Sequence, residues 1–308
     1  MSTKEVITSL EKLEKNNILL LSLSGGDPFM RKDIVTILEY LKNSTFWKIG
    51  ILTNGTLITN KHLEILCEHT DKFNFIQFTI FSHHPSVHDR YTGVTNGFNT
   101  VMRNARFLKE AGIFVKMAIA TLDFNIDSLK DTIQYLTERG YHTSFSYQKF
   151  LSSDRTHSLQ NIKRIRDATT KEFMEKVVHQ CGDLMTQTID KFKNHHSFNI
   201  PPENLNLCNG LCTNISIDPE GHIHPCLSLD TIKIGNILDE KPLYEQIKEC
   251  AEFNYLKSLR RSDLEECRTC KYNNLCTICA GLMLRENGCF TNPSKQECLF
   301  AGAIEKII

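Results

Sequence analysis

Residues 18–28 have the sequence Ile-Leu-Leu-Leu-Ser-Leu-Ser-Gly-Gly-Asp-Pro, in which an apolar run leads directly into two glycines and an acidic residue. A nearly continuous apolar run of this length is typical of a strand that is covered on both faces, as in a parallel sheet. Gly25 and Gly26 would allow a small ligand to approach the backbone closely, although two glycines after a strand more often form only a turn. The stretch predicts a buried strand followed by a turn at the edge of a sheet.

The alternation of helix and strand patterns continues on both sides of this stretch. Ser2-Thr3-Lys4-Glu5 fits a capping box at the start of a helix. Further strands are predicted over residues 48–53, 75–80, 113–120 and 141–147, each preceded by apolar residues at helical spacing. Five strands that alternate with helices predict an α/β fold with a parallel sheet and right-handed crossovers, as a barrel or as an open doubly wound sheet.

The composition excludes several classes of protein. The chain has 36 Lys and Arg residues and 36 Asp and Glu residues, so no overall charge favours nucleic acid or an acidic membrane surface as a partner. Its apolar runs are far too short for a membrane span, and its N-terminus lacks the apolar region of a signal peptide. We therefore expect a cytoplasmic protein of 308 residues with one large and one smaller domain.

Twelve cysteines are the unusual feature, and eight of them form a spaced set between Cys208 and Cys298. A chain without an export signal keeps its thiols reduced, so the clustering indicates metal ligation rather than disulfides. The segment Cys267-x2-Cys270-x5-Cys276-x2-Cys279 fits tetrahedral zinc and iron–sulfur clusters about equally well. Spacing alone leaves both metals open.

A turn signal precedes the third cysteine of the set. Asp218-Pro219-Glu220-Gly221 lies between two short apolar stretches, and its glycine can adopt a positive φ. We predict a hairpin that returns Cys226 toward Cys208 and Cys212.

This cysteine pattern resembles the SPASM domain of radical S-adenosylmethionine (SAM) maturases, such as sactipeptide synthases and anaerobic sulfatase-maturating enzymes. The resemblance implies two auxiliary [4Fe–4S] clusters. It assigns the first cluster to Cys208, Cys212, Cys226 and Cys279, and the second to Cys267, Cys270, Cys276 and Cys298. Cys289 competes with Cys298 for the last position. Three further cysteines fit no ligand spacing and are interpreted as ordinary thiols, namely Cys67, Cys181 and Cys250.

The first half of the chain resembles the radical SAM barrel. Gly25-Gly26-Asp27-Pro28 is similar to the Gly-Gly-Glu-Pro motif of that family, which binds the amino group of the SAM methionine, with Asp27 in place of Glu. Thr53-Asn54-Gly55 matches the family's next turn, and Thr79 falls where a Ser commonly contacts the ribose or carboxylate of SAM. The resemblance therefore implies a set of cofactor-binding residues: Gly25, Gly26, Asp27, Pro28, Asn54 and Thr79.

Three histidines near the predicted third strand could suggest a metal site. We interpret His83, His84 and His88 as solvated loop residues instead, with His88-Asp89 as a structural turn.

The family's Cys-x3-Cys-x2-Cys loop, which holds the SAM-cleaving cluster, occurs nowhere in the 308 residues. In the family this loop follows the first barrel strand, well before the Gly-Gly-Glu-Pro motif. We therefore expect a partial (β/α)6 barrel that lacks its first strand, through N-terminal truncation or natural loss. The sequence as given is expected not to cleave SAM.

The predicted organisation is a partial barrel over residues 1–150, a helical bridge and linker over 151–205, and a SPASM domain over 206–308. The resemblance implies an oxidoreductase that modifies a peptide or protein through a SAM-derived radical, with an electron donor such as flavodoxin or ferredoxin. It identifies neither catalytic residues nor the bond formed. Two other functions stay open: a non-catalytic iron–sulfur module for electron transfer or peptide binding, and a zinc-stabilised scaffold.

Overall fold

The computed structural model describes residues 1–146, 170–182, 206–208, 210, 213–273 and 275–307. The chain divides into two units, Met1–Tyr147 and Gln148–Ile308. The predicted boundary after residue 150 falls close to the end of the first unit, and most of the predicted bridge lies outside the described residues. The three-domain division stays a prediction. No helix in the described ranges is long and apolar enough to cross a membrane.

Five parallel strands form the sheet of the first unit and lie side by side in chain order: β1 Leu20–Leu23, β2 Lys48–Thr53, β3 Phe75–Ile80, β4 Phe114–Ala120 and β5 His142–Ser146. With right-handed crossovers, this order puts every connecting helix on the same face of the sheet. A doubly wound sheet would instead reverse its strand order at one point. The α/β class and the partial-barrel architecture are confirmed.

Six α-helices accompany this sheet: α1 Thr3–Lys15, α2 Ile34–Leu41, α3 Asn60–Glu68, α4 Pro85–Thr92, α5 Gly97–Glu110 and α6 Leu129–Glu138. The predicted capping box begins α1, where the Ser2 side chain accepts a hydrogen bond from the backbone N–H of Glu5. One face of the sheet forms the core, and its side chains, such as Ile51, Phe78 and Met117, are fully buried.

The opposite face of the sheet is more open and partly polar. Gln77 and Thr79 on β3 and Lys116 on β4 are only half-buried there. The prediction that β1 is covered on both faces is wrong, because Leu20 is 62% exposed and Ser22 is also exposed. Within the described sheet β1 is an edge strand that pairs with β2 alone.

The second unit combines short strands with short helices. Residues 171–182 are helical (α7). Strands β6 Ser216–Ile217, β7 His222–His224 and β8 Gly235–Asn236 form an antiparallel sheet. The helices that follow are α8 Leu243–Glu249, α9 Ala251–Ser258, α10 Glu265–Arg268, α11 Ala280–Asn287 and α12 Lys295–Ile304. The predicted hairpin is confirmed, since β6 and β7 pair and Gly221 has a φ of +88° in the turn.

Candidate functional site

The Asp27 carboxylate joins the turns that follow β1 and β2. It is 6% exposed. Its Oδ1 accepts from the N–H of Phe29 at 2.9 Å, which caps the short 3-10 helix Pro28–Met30. Its Oδ2 accepts from Thr53 Oγ1 and from the N–H of Asn54, both at 2.7 Å. A carboxylate can accept about four hydrogen bonds, so three donors from the chain itself leave little capacity for a ligand. Asp27 mainly holds the two turns together.

The two glycines before Asp27 leave their backbone open. Gly25 has a φ of +122°, which favours glycine, and a Cβ on either Gly25 or Gly26 would meet no atom within 4 Å. Both residues are exposed. A ligand can therefore approach the backbone of this turn at the carboxyl edge of β1, as the sequence predicts.

The turn after β2 is fixed by its own hydrogen bonds. Asn54 Oδ1 accepts from the N–H of Thr56 at 2.9 Å and from its hydroxyl at 2.6 Å. Gly55 has a φ of +77°, and a Cβ there would lie 2.4 Å from Phe78 Cδ1. Its carbonyl accepts from Nδ2 of Asn104, which is fully buried on α5. Sequence reasoning missed Asn104, although a lone Asn on an apolar helix face was a signal.

Thr79 lies at the same edge of the sheet. Thr53 at the end of β2 is in register with Phe78, so Thr79 is one residue beyond that pair, on the more open face of β3. This placement is compatible with the predicted contact between Thr79 and SAM.

The expectation of three solvated histidines is wrong for His88. Its side chain is 1% exposed inside α4, its Nδ1 accepts from the N–H of Phe81 at 3.4 Å, and burial lowers its pKa. His83 contacts Thr132 Oγ1 through Nδ1 at 2.9 Å, and the His84 side chain is exposed. The predicted turn at His88-Asp89 is also wrong, because both residues lie within α4; Asp89 Oδ1 instead accepts from the N–H of Phe98 at the start of α5, at 2.8 Å.

A cavity of about 220 Å³ in the second unit is lined by five of the predicted metal ligands: Cys267, Cys270, Cys276, Cys279 and Cys298. Apolar side chains, including Ile278, Met283 and Ala301, line it as well. The structure thus brings together all four cysteines of the predicted second set.

The thiols surround the cavity rather than converge on one point. Among the described residues, no three cysteine sulfurs lie within 4.8 Å of one another. Possible metal ligands come that close in one group of the described residues, formed by Asp218, Glu220 and His222. Four thiolates on one zinc ion lie about 3.8 Å apart, given tetrahedral bonds of about 2.3 Å. The donor set and its wider separation fit a multi-iron cluster better than a single ion.

Four of these thiols have a raised pKa, which favours their protonated form in the absence of a metal. Burial raises the pKa of Cys276 to about 12, and it also raises the pKa of Cys267 and Cys279. Partial desolvation against the cavity wall raises the pKa of Cys298 to about 11, although the residue as a whole is exposed. A metal or cluster must displace these protons when it binds.

The predicted first set is described in part. Cys208 Sγ accepts from the N–H of Gly210 at 3.3 Å, and a Cβ on Gly210 would lie 3.5 Å from Pro225, next to Cys226. Cys208 and Cys226 pack against one apolar core, and Cys279 is the N-cap of α11. Cys212 lies outside the described residues. Because Cys279 also lines the cavity, the two predicted sets are neighbours.

The remaining cysteines lie elsewhere. Cys289 is not among the described residues that line the cavity; its sulfur accepts from Thr291 Oγ1 at 3.4 Å, which lowers its pKa. Cys181 is buried in α7, which raises its pKa to about 12, and Cys67 and Cys250 are half-buried.

Two charged residues beside the cysteines were missed by sequence reasoning. The Arg261 guanidinium donates to the carbonyl of Cys276 at 3.0 Å. Glu297 is 3% exposed, lines the cavity and accepts from Thr277 Oγ1 at 2.9 Å. An acidic residue next to a predicted ligand was the only signal for Glu297, and none pointed to Arg261.

Comparison with known proteins gives two family matches. Residues 1–136 match the radical SAM superfamily, and residues 208–271 match the iron–sulfur cluster-binding domain named SPASM. The antilisterial bacteriocin subtilosin biosynthesis protein AlbA of Bacillus subtilis is 28% identical over 251 residues, 80% of this chain and 52% of AlbA. The sporulation killing factor maturation protein SkfB of the same species is 23% identical over 241 residues, 78% of this chain and 56% of SkfB. The chain spans about half the length of these relatives.

Solved structures share the fold at low identity. Native anSMEcpe with bound AdoMet gives a TM-score of 0.67 at 17% identity, covering 98% of this chain and 87% of that one. Streptococcus suis SuiB bound to precursor peptide SuiA gives 0.63 at 17% identity, covering 92% and 66%.

Proposed function

We propose that the chain is a radical SAM protein with a SPASM domain that serves the modification of a peptide or protein substrate, since residues 1–136 and 208–271 match these two families. These two domains imply [4Fe–4S] clusters and SAM as cofactors. The observation that supports the proposal most is the cavity lined by five cysteines, since a SPASM domain needs closely grouped thiolates to bind its clusters.

The relatives support a peptide substrate over a small molecule. AlbA and SkfB are named for bacteriocin biosynthesis and for maturation of a killing factor, and SuiB was solved with a precursor peptide. AdoMet-dependent heme synthases and GTP 3′,8-cyclases also match, at 22–23% identity, compared with 28% for AlbA and 23% for SkfB, so AlbA carries most of this preference.

The proposed division of the cysteines gives each cluster four thiolates: Cys208, Cys212, Cys226 and Cys279 for one, and Cys267, Cys270, Cys276 and Cys298 for the other. When bound, such clusters supply one-electron transfer at a potential that the surrounding protein adjusts. Cys298 is preferred over Cys289 because it lines the same cavity as the other three ligands.

The residues of the first unit would bind SAM. The open backbone of Gly25 and Gly26 would receive its methionine end, and Thr79 would contact the ribose or carboxylate. Asp27 would act mainly as a positioning residue, because three hydrogen bonds from the chain already occupy its carboxylate. Residues 1–308 contain no Cys-x3-Cys-x2-Cys, so we propose that this chain by itself does not cleave SAM.

Iron analysis tests the clusters. The chain, purified anaerobically and reconstituted with iron and sulfide, should contain about eight irons, as two clusters with four thiolates each. Cys226→Ala and Cys270→Ala should each remove about half of the iron, whereas Cys250→Ala, the control, should retain all of it. Stoichiometric zinc without iron uptake would contradict the clusters. Loss of all iron in either single ligand variant, with the fold intact, would contradict the proposed division.

Peptide binding tests the substrate class without requiring SAM cleavage. Fluorescently labelled peptides translated from short open reading frames beside the gene are titrated with the iron-loaded chain under anaerobic conditions. We expect saturable binding of at least one such peptide. No binding by the fully loaded chain would favour an electron-transfer module.

A further inference from the structure

Arg261 places a permanent positive charge against the loop between Cys270 and Cys276. Its guanidinium donates to the carbonyl and the side-chain oxygen of Asn273, at 2.6 and 2.8 Å, and to the carbonyl of Cys276 at 3.0 Å. Arginine stays protonated in proteins, so this charge is fixed. The three hydrogen bonds hold both the loop and the charge in place.

Glu297 places an acidic side chain beside the same thiols, in contrast to the basic Arg261. It precedes Cys298 on α12, is 3% exposed and lines the cysteine cavity. Its Oε2 accepts from the hydroxyl of Thr277, the residue after Cys276. Cys276 therefore has a guanidinium at its carbonyl and a carboxyl group at the next residue. Burial is the largest influence on the Cys276 pKa, which Glu297 also raises and Arg261 lowers.

We propose that Arg261 and Glu297 set the reduction potential of the cluster held by Cys267, Cys270 and Cys276 together with Cys298, and that they do so in opposite directions. This inference rests on the proposed function, which places a cluster there. Reduction adds negative charge to a cluster, so a nearby cation favours the reduced form and a nearby anion disfavours it. A cavity partly walled by apolar side chains strengthens both effects.

The two residues differ in reach. Arg261 donates to the carbonyl of Cys276, which belongs to one proposed set, and it is not among the described residues that line the cavity. Glu297 lines the cavity together with Cys276 and Cys279, which belong to different sets. A change at Arg261 should therefore move one cluster potential, whereas a change at Glu297 should move both.

The test is an anaerobic redox titration followed by electron paramagnetic resonance, with iron content measured on every sample. Arg261→Gln should make the equilibrium constant for reduction of one cluster at least threefold smaller. At 59 mV per tenfold change for one electron, this lowers its reduction potential by about 28 mV. Arg261→Lys keeps the charge and should lie closer to the wild type. Glu297→Gln should raise both potentials. The control is Arg260→Gln, because the Arg260 guanidinium donates to the carbonyls of residues 257–259 rather than to the loop that carries the cysteines.

The outcomes separate this inference from the proposed function. A wild-type chain that takes up no iron overturns both. Full iron content with unchanged potentials in Arg261→Gln overturns the inference alone. If Arg261→Gln loses iron, Glu297→Gln decides, since an unchanged or lowered potential in that variant also overturns the inference.

Discussion

Replacing Asp27 by Asn tests whether its carboxylate holds the first unit together. The side chain keeps its size, but one acceptor oxygen becomes an NH2 donor. In the native protein Oδ1 faces one backbone N–H, and Oδ2 faces another N–H and a hydroxyl. Either orientation of the amide therefore places its NH2 against a donor. At least one backbone N–H loses its partner, either the buried one of Phe29 or the partly buried one of Asn54.

The size of the loss follows from these contacts. A hydrogen bond to a charged group contributes about 1.5–3 kcal/mol, and an unpaired buried donor costs about 1–3 kcal/mol. Asp27→Asn should therefore lower the free energy of unfolding of the first unit by about 2–4 kcal/mol. Asp71→Asn is the matched control; Asp71 is exposed, so its change should stay within about 0.5 kcal/mol.

Equilibrium urea unfolding measures the effect. Trp47, the single tryptophan of the chain, lies in the first unit directly before β2 but is 64% exposed, so circular dichroism is followed beside its fluorescence. A double-mutant cycle of Asp27→Asn with Thr53→Val isolates the hydrogen bond between these two side chains, and it should give a coupling free energy of about 1–2 kcal/mol. An Asp27→Asn protein as stable as the wild type, or strictly additive variants, would refute the reasoning.

Three further predictions concern acid stability, backbone strain and chemistry. The Arg31 guanidinium holds the pKa of Asp33 at about 2, so Asp33 stabilises the fold above its unfolded pKa of 3.8, and this contribution is lost as the pH falls through 2. Asp33→Asn should thus lower the free energy of unfolding by about 1–2 kcal/mol at pH 7, a range that allows for screening by solvent. In urea unfolding the difference between the variant and the wild type should shrink as the pH approaches 2. Gly55→Ala should lower the free energy of unfolding by about 2–4 kcal/mol in the same assay, because backbone strain at positive φ adds to a clash with Phe78. Its control Gly93→Ala has the backbone strain alone and should lower the free energy of unfolding by about 1 kcal/mol. Incubation with SAM and dithionite should yield no more 5′-deoxyadenosine than a protein-free control; clear turnover would show an open iron site in this chain.

Local sequence was sufficient for the strands, whereas their order in the sheet stayed open between a barrel and a doubly wound sheet until the family resemblance favoured the barrel. The strands predicted over 48–53 and 75–80 are β2 and β3 with the same bounds, because their β-branched and aromatic residues alternate toward a core that lies on one face. The capping box and the hairpin turn were also predictable, since each depends on contacts within a few residues.

Contacts between distant segments explain the wrong expectations for β1 and His88. An apolar run does not show whether both faces of a strand are packed, so β1 was predicted to be covered on both faces although Leu20 and Ser22, on one face, are exposed. His88 lies in a polar stretch, yet α4 turns it inward against Phe81 and Phe98. Pro85 at the first position of α4 was a helix-start signal that pointed to this burial.

The choice between Cys289 and Cys298 depends on helix phase, which cysteine spacing does not encode. Ser294 caps α12 by accepting from the N–H of Glu297, so Cys298 and Ala301 are three residues apart within one helix and share a face. Both line the cavity. Cys289 instead follows the left-handed Gly288 that ends α11, and its thiol contacts Thr291. The residues that favour Cys298 as the ligand are therefore the cap and the helix that orient it, rather than its distance in sequence from the other cysteines.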